Sequence, residues 1–332
     1  MKLKTLAVAT SIALSAMSTI APAQAGSLAT AVLDITNFTI SRGGTTLDFN
    51  TDFGGRITPT NTADISASLN GATLTDSKNG AGEDIDLQPV RVGNLGVPSY
   101  TNNAYTAFTA PPVSSFALAD QSQFGSPITG LVVGGVPVTT PATASHAAYV
   151  SLDTPGDGSS TANNGLQAGF NFALNHGGSI DLAFNARAYL EATTNATAVF
   201  PTNASSQYSL VFSIRDLATN TDIVVWKPDG GGSVVGDADH KGLTAVSDPF
   251  SLNDALSRSA PFNGQSFSGA APGSAFSGIW TATTVNLLAN HDYQLTIRST
   301  VLADATKVPE PATLALMGLG ILGLGLSRRR RT

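Results

Sequence analysis

Apolar and polar residues alternate with a period of two along much of the chain, most clearly in its second half. From Ser179 to Leu190, Ile180, Leu182, Phe184, Ala186 and Ala188 share one parity, while Asp181, Asn185 and Arg187 take the other. Tyr208, Leu210, Phe212 and Ile214 repeat the pattern in Tyr208–Asp216, and Tyr293, Leu295, Ile297, Ser299 and Val301 repeat it near the end. Successive side chains of an extended strand point to opposite faces, so this spacing predicts half-buried antiparallel strands. Further strands are predicted over Ala31–Ile40, Asp64–Leu69, Ala147–Leu152, Leu166–Leu174, Asp222–Trp226 and Ile279–Leu288. Turn-forming residues at Asn175-His176-Gly177-Gly178 and Ala289-Asn290-His291-Asp292 predict two hairpins. Pro98–Pro141 is interrupted by Pro111-Pro112, Pro127, Gly134-Gly135 and Pro137, and reads as loops and edge strands or as a lid over one sheet. No amphipathic helix intervenes between the strands. The expected fold class is all-β, an antiparallel β-sandwich of jelly-roll type.

Both ends depart from this pattern. Lys2 and Lys4 precede an apolar run from Leu6 to Ile20, and Ala23-Gln24-Ala25 offers the small-x-small site that signal peptidase reads. Cleavage is expected after Ala25, leaving Gly26 as the first residue. At the other end, Pro309-Glu310-Pro311 is followed by Ala312–Leu326, apolar except for Thr313, and then by Arg328, Arg329, Arg330 and Arg331. At 1.5 Å per residue that run is shorter than the ~20 residues of a comfortable span, so it reads as a short transmembrane helix. The arginines should hold its end in the cytoplasm, with everything before Pro309 facing outward. The division expected is a signal peptide over 1–25, a β-domain over 26–305, and a sorting segment over 306–332 joined through a short linker from Ala303 to Pro309.

This tail resembles the PEP-CTERM sorting signal of Gram-negative bacteria: Pro309, Glu310 and Pro311 match the triplet, and the span and arginine cluster follow in order. The resemblance implies recognition by exosortase, a membrane-embedded cysteine transpeptidase-like enzyme, and removal of the tail near the triplet. It also implies a precursor held transiently in the inner membrane and a mature form at the cell surface or outside the cell. An ordinary C-terminal anchor would share the span and the arginines but leaves the triplet unexplained. EDIDLQPVRVG (83–93), VVWKPDG (224–230), DPFSLN (248–253) and HDYQLTI (291–297) resemble a recurring uncharacterised type of PEP-CTERM protein, which implies a surface β-domain without known activity.

Composition narrows the chemistry. Without Lys2, Lys4 and the tail arginines the body keeps 11 Lys+Arg, and without Glu310 it keeps 22 Asp+Glu, a net charge of −11. Such a surface is repelled by phosphate backbones, so nucleic acid is not an expected partner. Cysteine is absent, which excludes disulfides, thiol catalysis and thiolate metal sites.

No catalytic motif is visible. His146, His176, His240 and His291 are far apart and form no HxH or HExxH pattern. Glu83 and Glu191 are the carboxylates to cast as a glycosidase pair, but sequence cannot set them across a cleft. No organic cofactor is called for. A structural calcium ion is the one metal reading, because hard cations take several oxygens from Asp/Gly loops. Asp153 with Asp157, and Asp229 with Asp237 and Asp239, are its candidates, Glu83, Asp84 and Asp86 form a third acidic cluster, and ordinary turn chemistry is the alternative for all of them. Trp226 and Trp280, with Tyr100, Tyr105 and Tyr149, are weighed as a sugar-stacking platform against core packing. The expected function is a non-enzymatic exported surface or matrix protein associated with exopolysaccharide or biofilm. The alternatives are a carbohydrate-binding or lectin-like module and a secreted hydrolase.

Overall fold

A computed structural model of the chain describes residues 26–82, 84–94, 100–105, 114–163, 168–194, 202–230, 235–259, 264–267 and 276–308. In chain order the strands are β1 (Ser27–Arg42), β2 (Thr45–Thr46), β3 (Ile57–Leu69), β4 (Ala72–Gly80), β5 (Ile85–Asp86), β6 (Val90–Gly93), β7 (Phe116–Phe124), β8 (Val132–Val133), β9 (Val136–Pro137) and β10 (Ala142–Leu152). They continue with β11 (Gly156–Asn163), β12 (Ala168–Ala173), β13 (Asp181–Thr194), β14 (Thr202–Asp216), β15 (Thr221–Trp226), β16 (Leu243–Ser247), β17 (Asp254–Ser259), β18 (Gly264–Phe267), β19 (Phe276–Thr284) and β20 (Asp292–Lys307). One antiparallel sheet runs β16-β19-β13-β1-β10-β7-β5, with β2, β6 and β18 at its margins. The other runs β11-β3-β12-β20-β14-β15, with β4 and β17 attached. Among the described residues these sheets hold ten and eight strands, with β8 and β9 paired apart from both, so the sandwich is wider than an eight-stranded jelly roll.

The predicted parity is the observed burial. Leu182, Phe184, Ala186 and Ala188 of β13 face the second sheet, and Tyr208, Leu210, Phe212 and Ile214 of β14 face back. Aromatic rings fill the middle. Phe184 stacks nearly parallel to Trp280 at 5.6 Å and, inclined by 29°, on Phe212 at 5.3 Å, while Phe212 stacks on Trp226 at 5.0 Å and meets Phe38 at 5.5 Å. Phe38, Phe184 and Trp280 belong to one sheet and Phe212 and Trp226 to the other, so these contacts are what joins the layers.

Four expectations change. The turns at 175–178 and 289–292 do not close hairpins: β12 and β20 lie in one sheet, β13 and β19 in the other, and both turns carry the chain across the core. Turn residues reverse the chain without choosing its partner, and each strand buries its apolar face best from the opposite layer. Two-residue hairpins lie elsewhere: Asn70 and Gly71 close β3–β4 at φ 50° and 81°, the left-handed pair a type I′ turn requires, and Gly43-Gly44 and Gly134-Gly135 close β1–β2 and β8–β9 in the same way.

The 98–141 region, read as loops and edges, contains β7, whose residues Phe116–Gln123 are all buried. It runs beside β10, inside the sheet. Alternation is hidden there because both faces are covered, the outer one by residues 100–105, which do act as a lid. Tyr100 lies on Tyr149 at 5.5 Å and donates to Asp120 at 2.7 Å, and Tyr105 donates to Ser122 at 2.8 Å. Finally, the linker expected from Ala303 is strand. β20 continues to Lys307, with Ala303 and Ala305 buried, so the domain extends past residue 305.

The two terminal strands occupy central places, β1 in one sheet and β20 in the other, and they start and finish at the same end. Ser27 Oγ donates to Asn203 O at 2.9 Å, and Asn203 pairs with Thr306.

Phe184→Ala should lower stability by about 3–5 kcal/mol, because it opens the contact shared by Phe38, Phe212, Trp226 and Trp280. Chemical denaturation reads this as a lower midpoint, and a loss below about 1 kcal/mol would show that the ring is not central.

Candidate functional site

The chain leaves β15 in one sheet, forms β16 at the edge of the other, and returns to β17 in the first. The excursion 227–253 is tied to that edge by a polar cluster. Backbone pairing of Val225 N with Lys241 O and of Lys227 N with Asp239 O folds its two limbs together, and the Lys227 ammonium meets Asp239 at 2.6 Å. Gly230 takes φ +72° and passes the backbone of Phe250 and Ser251 so closely that a Cβ would stand 2.4 Å from Ser251 N. That approach holds Asp229 in a bridge with Ser251.

His240 is fully buried at the centre. Its Nε2 lies 2.9 Å from Asp248 Oδ2 and 3.9 Å from Asp229 Oδ1, and its Nδ1 lies 3.2 Å from Asp237 Oδ1. Asp237 Oδ1 also accepts the backbone N–H groups of Asp239 and His240, at 2.9 and 2.7 Å. Trp226 Nε1 donates to Asp248 Oδ1 at 3.0 Å. Burial pushes the Asp248 carboxyl up from its ordinary value, against the hydrogen bonds from His240 and Trp226. Among the described residues, Asp229, His240 and Asp248 are the one group of three whose metal-ligating atoms lie within 4.8 Å of one another.

The acidic loop residues chosen from sequence therefore separate. Asp229 joins the cluster, Asp237 orients the histidine, and Asp239 pairs with Lys227. Asp153 accepts from Ser115 Oγ and gives its carbonyl to Lys307 Nζ at 2.6 Å, while Asp157 exchanges backbone and side-chain hydrogen bonds with Asn70. These two residues close a turn. Asp84 accepts Gly125 N and Asp86 accepts Asn103 Nδ2, and Glu83 lies outside the described residues.

The aromatic platform is corrected. Trp226 and Trp280 are 0% exposed, Tyr149 likewise, and Trp280 Nε1 donates to Phe250 O at 3.1 Å. A ring that stacks on a sugar needs a free face, and both faces of these indoles are spent on the inter-sheet core. The remaining histidines lie apart from the cluster. His146 sits between the sheets with Nε2 2.9 Å from Ser299 Oγ, His176 gives its carbonyl to Arg42, and His291 pairs with Asp216 at 3.0 Å.

From sequence His240 stands with the other histidines and Asp248 is not singled out, because only the fold brings Asp229 beside the two residues that flank β16, and no local motif records that approach. The one sequence signal is Asp237 three residues before His240, the spacing of a side chain that caps a turn and reaches the ring.

Residues 307–331 match the family model for the PEP-CTERM protein-sorting motif. The chain carries a PEP-CTERM sorting tail. It is thus an exported protein sorted by exosortase and made as a membrane-anchored precursor. The match begins at Lys307, the last residue of β20, so the motif starts where the sandwich stops. Pro309, Glu310, Pro311, the span 312–326 and Arg328, Arg329, Arg330 and Arg331 lie outside the described residues, as do Ala23 and Ala25; Gly26 lies just before β1. No curated protein matches the chain.

Burial holds the His146 imidazole at about 4 against an ordinary 6.5. The unfolded chain therefore takes up a proton that the fold refuses, and stability present above pH 6.5 falls as pH drops toward 4, by roughly 3 kcal/mol. Urea midpoints of the wild type and His146→Gln across that window should diverge in slope, the variant being flatter. Parallel slopes would contradict the assignment.

Proposed function

We propose that the protein is a non-enzymatic surface or matrix component, delivered through signal peptidase and exosortase and associated with exopolysaccharide outside the cell. The observation that carries this reading is the junction at Lys307. A folded acidic sandwich ends on a central strand, and the sorting tail follows at once, on the end of the domain where β1 also begins. Four residues, 308–311, separate β20 from the expected span, a reach of at most about 14 Å. Before processing the domain therefore rides against the membrane with the turns at 43–44 and 217–220 at its far end.

Two features support a role without catalysis. Two buried carboxylates outside the His240 cluster are engaged by neighbouring groups: Asp120 Oδ2 accepts from Tyr100 and from Asn103 N, and Glu191 accepts from Tyr189 at 2.8 Å and Thr193 at 3.1 Å. The apolar pocket between the sheets, walled by Ile35, Phe38, Ile57, Phe170 and Phe212, has no carboxylate among its described lining residues.

Terminal mass spectrometry on protein recovered from membrane, cell surface and medium tests the reading. A mature chain beginning at Gly26 and lacking everything after the triplet is expected at the surface or in the medium. An intact chain in the cytosol would overturn it.

A further inference from the structure

Three carboxylates converge on one buried imidazole, and its two nitrogens meet different surroundings. Nδ1 faces Asp237, which two backbone N–H groups fix in place. Nε2 faces Asp248 Oδ2 and Asp229 Oδ1, and the other oxygen of Asp248 is held by the Trp226 indole. Each buried group is thus aimed from its far side. Metal-bound histidines and carboxylates are oriented in this way, with an outer hydrogen-bond partner setting the tautomer and the direction of the donor atom.

We propose that Asp229 Oδ1, His240 Nε2 and Asp248 Oδ2 bind a zinc-class dication that closes the 227–253 excursion on itself, holding the turn after β15 against the two ends of β16. Ligand atoms at zinc distances stand about 3.3 Å apart in a tetrahedron, and the two measured separations from Nε2, 2.9 and 3.9 Å, straddle that value. Three acidic side chains face one imidazole, a donor set that a dication would suit. The side chains of His240 and Asp248 are buried, at 0% and 1% exposure, whereas that of Asp229 is 37% exposed, which gives the ion a way in.

The donor set also decides against calcium, the ion expected from the loop composition. Calcium takes six to eight oxygens, whereas an imidazole with two carboxylates suits a borderline first-row metal. In a chain without cysteine such an ion would fix the shape of one long excursion that no disulfide can staple.

The test uses the exported protein stripped with chelator, titrated with Zn2+ by calorimetry and with Co2+ as an absorbing probe. One zinc per chain is expected, with intense visible Co2+ bands and no displacement by a hundredfold excess of Ca2+. His240→Gln should abolish binding. Asp229→Asn, on the solvent side, should weaken it about tenfold or more while leaving the metal-free melting temperature unchanged, which separates lost ligation from lost folding. Absence of stoichiometric zinc in the wild type, an unaltered affinity in Asp229→Asn, or displacement by Ca2+ would each overturn the proposal.

Discussion

Everything in this molecule depends on two sheets sharing one aromatic-filled interior, because no disulfide holds them together. The chain has no cysteine, and its aromatic rings do the joining: Phe184 touches Trp280 within its own sheet and Phe212 and Trp226 across the gap. The connectivity makes the joint hard to undo piecemeal. The connections from β1 to β3, β10 to β11, β12 to β13, β13 to β14 and β19 to β20 each pass from one layer to the other. Separating the layers therefore strains most of the loops at once.

Strand positions were legible because one physical rule wrote them. A half-buried strand alternates, and β13, β14 and β20 do so over most of their length. The rule fails where its premise fails. β7 is covered on both faces by the second sheet and by Tyr100 and Tyr105, so Phe116, Leu118 and Asp120 are as buried as Ala117, Ala119 and Gln121. The end of β20 keeps the period with alanines, too small to mark a core face, and reads as linker. Strand partners were not legible at all: Asn175–Gly178 and Ala289–Asp292 have hairpin chemistry yet join different sheets.

The candidate site shows the same division. The acidic, glycine-rich stretch after Trp226 advertised itself, but its three aspartates serve three purposes, and of the residues that complete the cluster His240 follows at once while Asp248 lies beyond β16. The tryptophans were legible as large apolar residues on strands, and the structure settles which surface they fill. The tail is the opposite case. Its message lies in order and position within a short segment, so it needs no fold to be read, and the fold adds only that the sandwich runs up to its first residue.

Native-state hydrogen exchange on the exported protein is the most direct test of the shared interior. The amides of the β1–β13 and β14–β20 ladders should be the slowest to exchange, with one common opening free energy equal to that of global unfolding. Two separate protection levels, one for each sheet, would mean that the layers open independently and that the aromatic joint does not unite them.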